Sequence, residues 1–262
     1  TTEIYTLSLH DALPIWFELV VHPCIRTSPT YMKEMRQFVE RQKLDGVILL
    51  PPLSEDEALA AMLTEIGCRF IRVACVPLDV AAQLVVYEDY KGAAEVADHL
   101  VELGHRRIGF IAGTPQYKSA QERRRGFADG LARHGLSLDP ELYAQGAYTF
   151  ESGQECAEKL LSMKNPPTAI FACNDEMAAG VYRVAFKKGI AIPQELTVVG
   201  FDDSQLALRM CPALSTVRSP VRDMGRTAAE KLIQRIAQPD AKLRETIFQP
   251  HLVVRESSGP VR

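Results

Sequence analysis

Short apolar runs rich in β-branched residues alternate along the chain with longer stretches in which apolar positions recur every three or four residues. The short runs are FELVVH (17–22), GVILLP (46–51), FIRVAC (70–75), LVVYE (84–88), RIGFIAG (107–113), TAIFAC (168–173), LTVVGFD (196–202) and HLVVRE (251–256). Several are apolar at nearly every position, as in strands covered on both faces of a parallel sheet. The longer stretches, 30–42, 55–66, 90–103, 120–134, 151–163, 176–188 and 221–236, read as amphipathic helices. Gly67, Gly104, Gly135 and Gly189 follow four of them, where a helix can stop in a left-handed residue. This alternation predicts right-handed parallel crossovers and an α/β fold. So many strands in 262 residues are expected to divide between two sheets, because single cores of this size split.

Residues 1–16 interrupt the pattern. EIYTLSL alternates like a strand through Tyr5, Leu7 and Leu9, but only HDALPIW separates it from FELVVH. A parallel crossover needs roughly a dozen residues. Either the two segments pair antiparallel or the opening residues stand outside the fold.

The composition, 47% hydrophobic and 24% charged, is that of an ordinary soluble globular chain. A formal charge of −3 leaves no basic footprint for gripping phosphates, so this stretch by itself is not expected to bind DNA. Cys24, Cys68, Cys75, Cys156, Cys173 and Cys211 are scattered without a C-x-x-C pair, which suits a reducing cytoplasm better than a disulfide scaffold. The histidines form no metal-binding spacing, and no metal or cofactor is expected. No apolar run approaches the roughly 18 residues of a membrane span, and no secretory signal opens the chain, so no membrane partner is expected.

In an open α/β sheet, ligands gather beyond the carboxyl ends of the strands, where helix N-termini point. Four such joints are polar: the turn after LVVYE, TPQYKSAQER, ACND and GFDDSQ. At ACND, Asp175 is expected to cap the next helix, leaving the carboxamide of Asn174 for a polyol or a base edge. In SAQERRRGF, successive helix residues diverge by about 100°, so Arg123, Arg124 and Arg125 spread around the helix instead of forming one patch. One of them, Arg123 or Arg124, should lie beside the core face near the strand ends. Its planar fork suits two ligand oxygens or a neighbouring acid. Asp202 and Asp203 in GFDDS should point apart and not share a proton or a metal. No nucleophile elbow, phosphate loop or dinucleotide fingerprint accompanies them, so no enzyme is expected.

Taken together, LGHRRIGFIAG (103–113), SAQERRRGF (119–127), PTAIFACNDEMAAG (167–180), IPQELTVVGFDD (192–203), LSTVRSPVRDMGRTAAEKL (214–232) and LVVRES (252–257) resemble the core of the LacI/GalR family of bacterial transcriptional regulators. The resemblance spans 17–257, in order. It implies two Rossmann-like, periplasmic-binding-protein-like lobes with parallel sheets, joined by three crossover segments. The expected division is 1–16 as a non-matching segment, 17–87 plus 220–245 as the N-terminal lobe, and 88–219 plus 246–262 as the C-terminal lobe. It further implies a small sugar, nucleoside or purine effector in the interlobe cleft, homodimerisation, and allosteric control of operator DNA binding, with repression the expected mode. By the same resemblance Asn174, Asp202, Arg123 and Tyr148 face the effector, with Ser119 four residues before Arg123 and Ser219 at the interlobe crossing.

Three departures accompany the likeness. Nothing here resembles the family's N-terminal helix-turn-helix, residues 1–15 do not match its first core strand and helix, and FIRVACVP lacks an acid that many members carry. If strand 1 of a 2-1-3-4-5 sheet is missing, the gap is internal, and instability or abnormal association is expected. The alternatives are a periplasmic sugar-binding protein of a transport system, which shares the fold, and a sugar- or nucleoside-processing enzyme resting on Asp202, Asp203 and Arg123.

Overall fold

The computed structural model describes residues 17–24, 26, 28–76, 78 and 83–261; the segment 1–16 lies outside them. In chain order the elements begin α1 (Tyr31–Gln42), β1 (Gly46–Leu49), α2 (Glu57–Glu65), β2 (Arg69–Ala74), β3 (Leu84–Tyr87) and α3 (Asp89–Glu102). They continue β4 (Ile108–Ala112), α4 (Lys118–Arg133), β5 (Tyr143–Gln145), α5 (Phe150–Leu161), β6 (Ala169–Ala172) and α6 (Asp175–Lys188). The last are β7 (Thr197–Asp202), α7 (Gln205–Arg209), β8 (Ser215–Arg218), α8 (Val221–Ala237), β9 (Thr246–Phe248) and β10 (His251–Val253).

The chain forms two compact units. The first runs to Tyr87 and takes up Pro220–Phe248, and the second comprises Glu88–Ser219 and the residues from Gln249 onward. The first unit carries a four-stranded sheet in the order β1-β2-β3-β9, parallel throughout. Tyr31, Met35 and Val39, four residues apart on α1, face its core with Leu59 and Leu63 of α2. Two expectations fail here. Residues 17–22 join no strand ladder among the described residues, and Leu19, Val20 and Val21 are 37%, 47% and 51% exposed. Residues 246–248, expected in the C-terminal lobe, form β9 and pair with Val85–Tyr87 in the first unit, because the parallel register to β3 holds them there.

The second unit has a six-stranded sheet, β10-β8-β7-β6-β4-β5, parallel except for the β10–β8 pair. Its central strands are buried at every position of β4 and β6, as their unbroken apolar runs predict. Phe110, Phe127, Phe171 and Phe201 form a continuous aromatic core, with ring centroids 5.1–6.4 Å apart along the chain of contacts. The helices α3 and α4 approach so closely that a Cβ on Gly126 would lie 2.0 Å from the Tyr90 carbonyl oxygen. That contact fixes the middle of α4 relative to the start of α3. The short strands β5 and β8 escaped the sequence pattern; each has only three or four residues.

Candidate functional site

Parallel strands end on one edge, so the C-terminal ends of β4, β6 and β7 bring their joints together within the second unit. Arg123, in the first turns of α4, is the hub. Its Nε donates to Asp89 Oδ1 at 2.5 Å, Nη1 donates to the Cys173 carbonyl, and Nη2 lies 3.5 Å from Asp202 Oδ1. The guanidinium carbon stands 3.7 Å above the centroid of the Phe201 ring. Arg123 and Asp89 are both buried. A buried charge needs such multiple partners to offset its desolvation. The other two arginines turn away as expected: Arg124 lies over Tyr143, and Arg125 lies over Tyr90 and pairs with Glu122.

Asp202 and Asp203 also diverge. Asp202 faces Arg123, whereas Asp203 is clamped by Arg218 and Arg255, each at 2.5 Å. Both aspartates adopt positive φ, 111° and 54°. Such backbone costs on the order of 1–3 kcal/mol per residue and persists where the surroundings dictate it. The double clamp on Asp203 and the Ser219 N–H on the Asp202 carbonyl, 3.3 Å away, do so here. The Ser219 hydroxyl bonds the Asp202 side chain as well.

The joint after β6 corrects the expected division of labour. Asn174, not Asp175, is the N-cap of α6: its Oδ1 accepts from the Met177 N–H at 2.9 Å. Its Nδ2 donates to the Tyr148 carbonyl at 3.1 Å, and the residue is only 4% exposed. Asp175 is already helical and serves as a tie, accepting from Thr216 Oγ1 (2.6 Å) and from the Ser204 N–H (2.7 Å) and hydroxyl (2.8 Å). The helix begins one residue earlier than its apolar period indicates, which moves the cap back onto the strand-end asparagine.

Tyr148 also has positive φ, 64°, and its carbonyl is the one Asn174 holds. Its ring end rests on the backbone at Gly113, where a Cβ would come within 2.0 Å of Cζ. The ring stacks on Tyr117 with centroids 6.0 Å apart, and the Arg123 guanidinium stands 6.0 Å from its centroid. Ser119 lies beside its hydroxyl. The structure therefore joins Arg123, Asp202, Tyr148, Ser119 and Ser219 into one cluster, with Asn174 attached through the Tyr148 backbone. Sequence reasoning missed Asp89, Tyr117, Phe201 and Gly113. A carboxylate following a strand and opening a helix was the available signal for Asp89.

Burial pushes the Asp202 carboxyl up to about 7, against the pull of Arg123, and Asp175 up to about 6, against its hydrogen bonds. Raised carboxylate values mean that the folded chain holds more protons than the unfolded chain between pH 4 and 7. The contribution of these groups to stability is thus full below about pH 4 and is lost as pH rises through 6–7. The half-buried His99 and the buried His105, whose values are lowered by desolvation, act in the opposite sense. We therefore expect the stability difference between the Asp202→Asn chain and the parent, from urea midpoints, to shift in favour of the variant from pH 5 to pH 8. A difference independent of pH would contradict a raised Asp202.

Among the described residues no three His, Cys, Asp or Glu side chains gather to hold a metal, and no helix is long and apolar enough to cross a membrane. The two parallel sheets, with ligand-type polar groups beyond the strand ends, define a periplasmic-binding-protein-like α/β protein, and residues 97–258 match the family described as periplasmic binding protein-like domain. The chain belongs to the LacI family of transcriptional regulators within this class. It is 34% identical to the HTH-type transcriptional regulator DegA of Bacillus subtilis (strain 168) over 235 residues, 87% of this chain and 69% of DegA. The structure of the transcriptional regulator CelR in complex with cellobiose is similar with a TM-score of 0.78 and 32% identity, covering 88% of this chain and 71% of that one. A LacI family regulator from Enterococcus faecium with bound ribose gives 0.80 and 25%, covering 87% and 85%. The chain spans about two thirds of the length of curated relatives such as ExuR and DegA of Bacillus subtilis (strain 168).

Proposed function

We propose that this chain is the effector-binding and dimerisation core of a bacterial LacI-type transcriptional regulator, acting as a repressor in the cytoplasm. The observation that carries the reading is the Asp89–Arg123–Asp202 cluster with Tyr148, built at the strand ends where a small ligand would dock. Relatives with ribose or cellobiose bound support a sugar-sized effector, and PurR among the relatives keeps a nucleoside or purine in view. The relatives are regulators, which favours this reading over the transport protein and the enzyme. Operator DNA is bound by a helix-turn-helix N-terminal to this core. The effector acts by differential affinity for two conformations of the chain, not by a chemical step. A coupling of 1–3 kcal/mol corresponds to a change of roughly 5–150-fold in operator affinity. Fluorescence anisotropy of the intact regulator on its operator, with and without a sugar that binds this core, should show a change in that range. Operator affinity indifferent to every bound ligand would sink the proposal.

Homodimerisation is supported by an apolar patch on the second unit. Phe186 is 79% exposed and borders a hollow of about 320 Å³ lined also by Tyr182, Ile190, Ile192, Cys211 and Pro212. A protruding ring beside a hollow suits an isologous contact, in which each copy fills the other. Phe186→Glu should convert the dimer to monomer in sedimentation velocity while leaving the thermal melt cooperative. A Phe186→Glu chain that still sediments as a dimer would rule this face out.

A further inference from the structure

We infer that Asp203 is a positioning residue: with Arg218 and Arg255 it clamps two of the three places where the chain passes between its units, and so carries the state of Asp202 to them. The inference rests on the effector-binding reading and assigns that site its route outward.

The chain passes between the units at Tyr87 and Glu88, at Ser219 and Pro220, and at Phe248 and Gln249. The second and third passages are joined by a ladder inside the second unit. β8 ends at Arg218 and leads out to Pro220, β10 receives the returning chain at His251, and the two pair antiparallel with His251 opposite Arg218. On its other side Arg218 stands in register with Asp202, the last residue of β7. The first passage reaches the same strand end by another route, since Asp89, just after Glu88, holds Arg123, whose Nη2 faces Asp202.

Asp203 closes this arrangement. Its Oδ2 accepts from Arg218 Nε and its Oδ1 from Arg255 Nη2, each at 2.5 Å. Arg255 also donates through Nη1 to the Leu214 carbonyl and through its backbone N–H to Ser215 Oγ, so the returning segment is fastened to the start of β8 as well as to its end. The Asp203 side chain is 7% exposed, and at such depth a doubly bonded carboxylate is costly to release. Asp202 and Asp203 are covalent neighbours that both hold positive φ, 111° and 54°. Few backbone rotations are open to a non-glycine residue there, so the pair turns together. Whatever shifts the Asp202 backbone, whose carbonyl accepts from the Ser219 N–H at 3.3 Å, therefore pulls on Arg218 and Arg255. An asparagine would suit the left-handed backbone at 203 equally well; the charge is needed only for the two arginines.

Asp203→Asn keeps that backbone and the volume and removes the charge, and Arg218→Gln releases one arm. Both are placed in the intact regulator beside Arg218→Lys, whose ammonium can replace the single Nε contact. The ligand is whichever of ribose, glucose, galactose, cellobiose, hypoxanthine and guanine raises the melting temperature of the parent most. Calorimetry should give it the parent's affinity within about threefold in every variant, because Asp202 keeps its own ties to Arg123 and Ser219. Fluorescence anisotropy on the operator should show the ligand-induced change in affinity cut about threefold or more in Asp203→Asn, less in Arg218→Gln, and preserved in Arg218→Lys. Residues that touch no ligand alter coupling by roughly 2–30-fold. Hydrogen exchange without ligand should quicken in residues 215–222 and 249–255 of Asp203→Asn and stay unchanged in β4 and β6. A ligand-induced change in Asp203→Asn equal to the parent's overturns the inference and leaves the effector reading standing. So does a loss of affinity and exchange protection spread evenly through the second unit, the mark of a residue that only holds the fold. A parent that binds none of the six compounds, or whose operator affinity ignores the one it binds, removes the effector reading itself and the inference with it.

Discussion

Arg123→Ala is expected to destabilise the chain by about 3–5 kcal/mol, the usual consequence of removing one partner from a buried ion pair. Truncation removes the Nε donor from the buried Asp89 carboxylate, removes the donor to the Cys173 carbonyl, and uncovers one face of Phe201. Equilibrium urea unfolding would show the midpoint falling at an unchanged slope. Arg123→Lys should recover only part of the loss, because one ammonium cannot point along three separate directions at once. If Arg123→Ala unfolds within 1 kcal/mol of the parent, the cluster is not the keystone that its geometry indicates. Ligand binding by the variant, tested well below its midpoint, should be lost together with the pairing of Asp202.

Gly113→Ala should act in the opposite proportion, with a small change in stability and a large one in affinity. An added Cβ would fall 2.0–2.5 Å from Cζ, Oη and Cε1 of Tyr148, too close for any real contact. Those atoms belong to the far end of a side chain, so the ring can swing away at modest cost to the fold. It would then leave both Tyr117 and Arg123. Loss of a stacked aromatic of this kind should weaken the effector by tenfold or more, about 1.4 kcal/mol or above. Calorimetry with the sugar that binds the parent chain measures it. Affinity within twofold of the parent would show that Tyr148 does not face the ligand.

Much of this arrangement was legible in the order of residues. Strands buried on both faces announce themselves as unbroken apolar runs, which is why TAIFAC and LTVVGFD became β6 and β7. The divergence of Asp202 from Asp203, and of Arg123 from its two neighbours, followed from backbone geometry alone. The residues that complete the site were hidden for a different reason. Asp89 reaches Arg123 across 34 residues of chain, and Gly113 matters only because a tyrosine 35 positions later folds back onto it. Periodicity describes what one element does to its own neighbours and is silent about such closures. The misplaced cap at Asn174 is a finer case. Strand end and helix start share that residue, and only the hydrogen bond to Met177 reveals which role its side chain fills. FELVVH failed in the reverse direction, since a strand-like sequence becomes a strand only when a partner offers it a ladder.

That last segment bears on how the protein behaves in a crowded solution. Among the described residues, Leu19, Val20 and Val21 present an apolar, β-prone run without an intramolecular ladder, and β1 pairs with β2 alone. Each is the kind of surface that recruits a strand from a second molecule. Such recruitment grows with the number of encounters between chains, whereas folding does not. Concentration therefore sets a ceiling on how long the dissolved state persists, independently of how tightly the arginine cluster holds the second unit together.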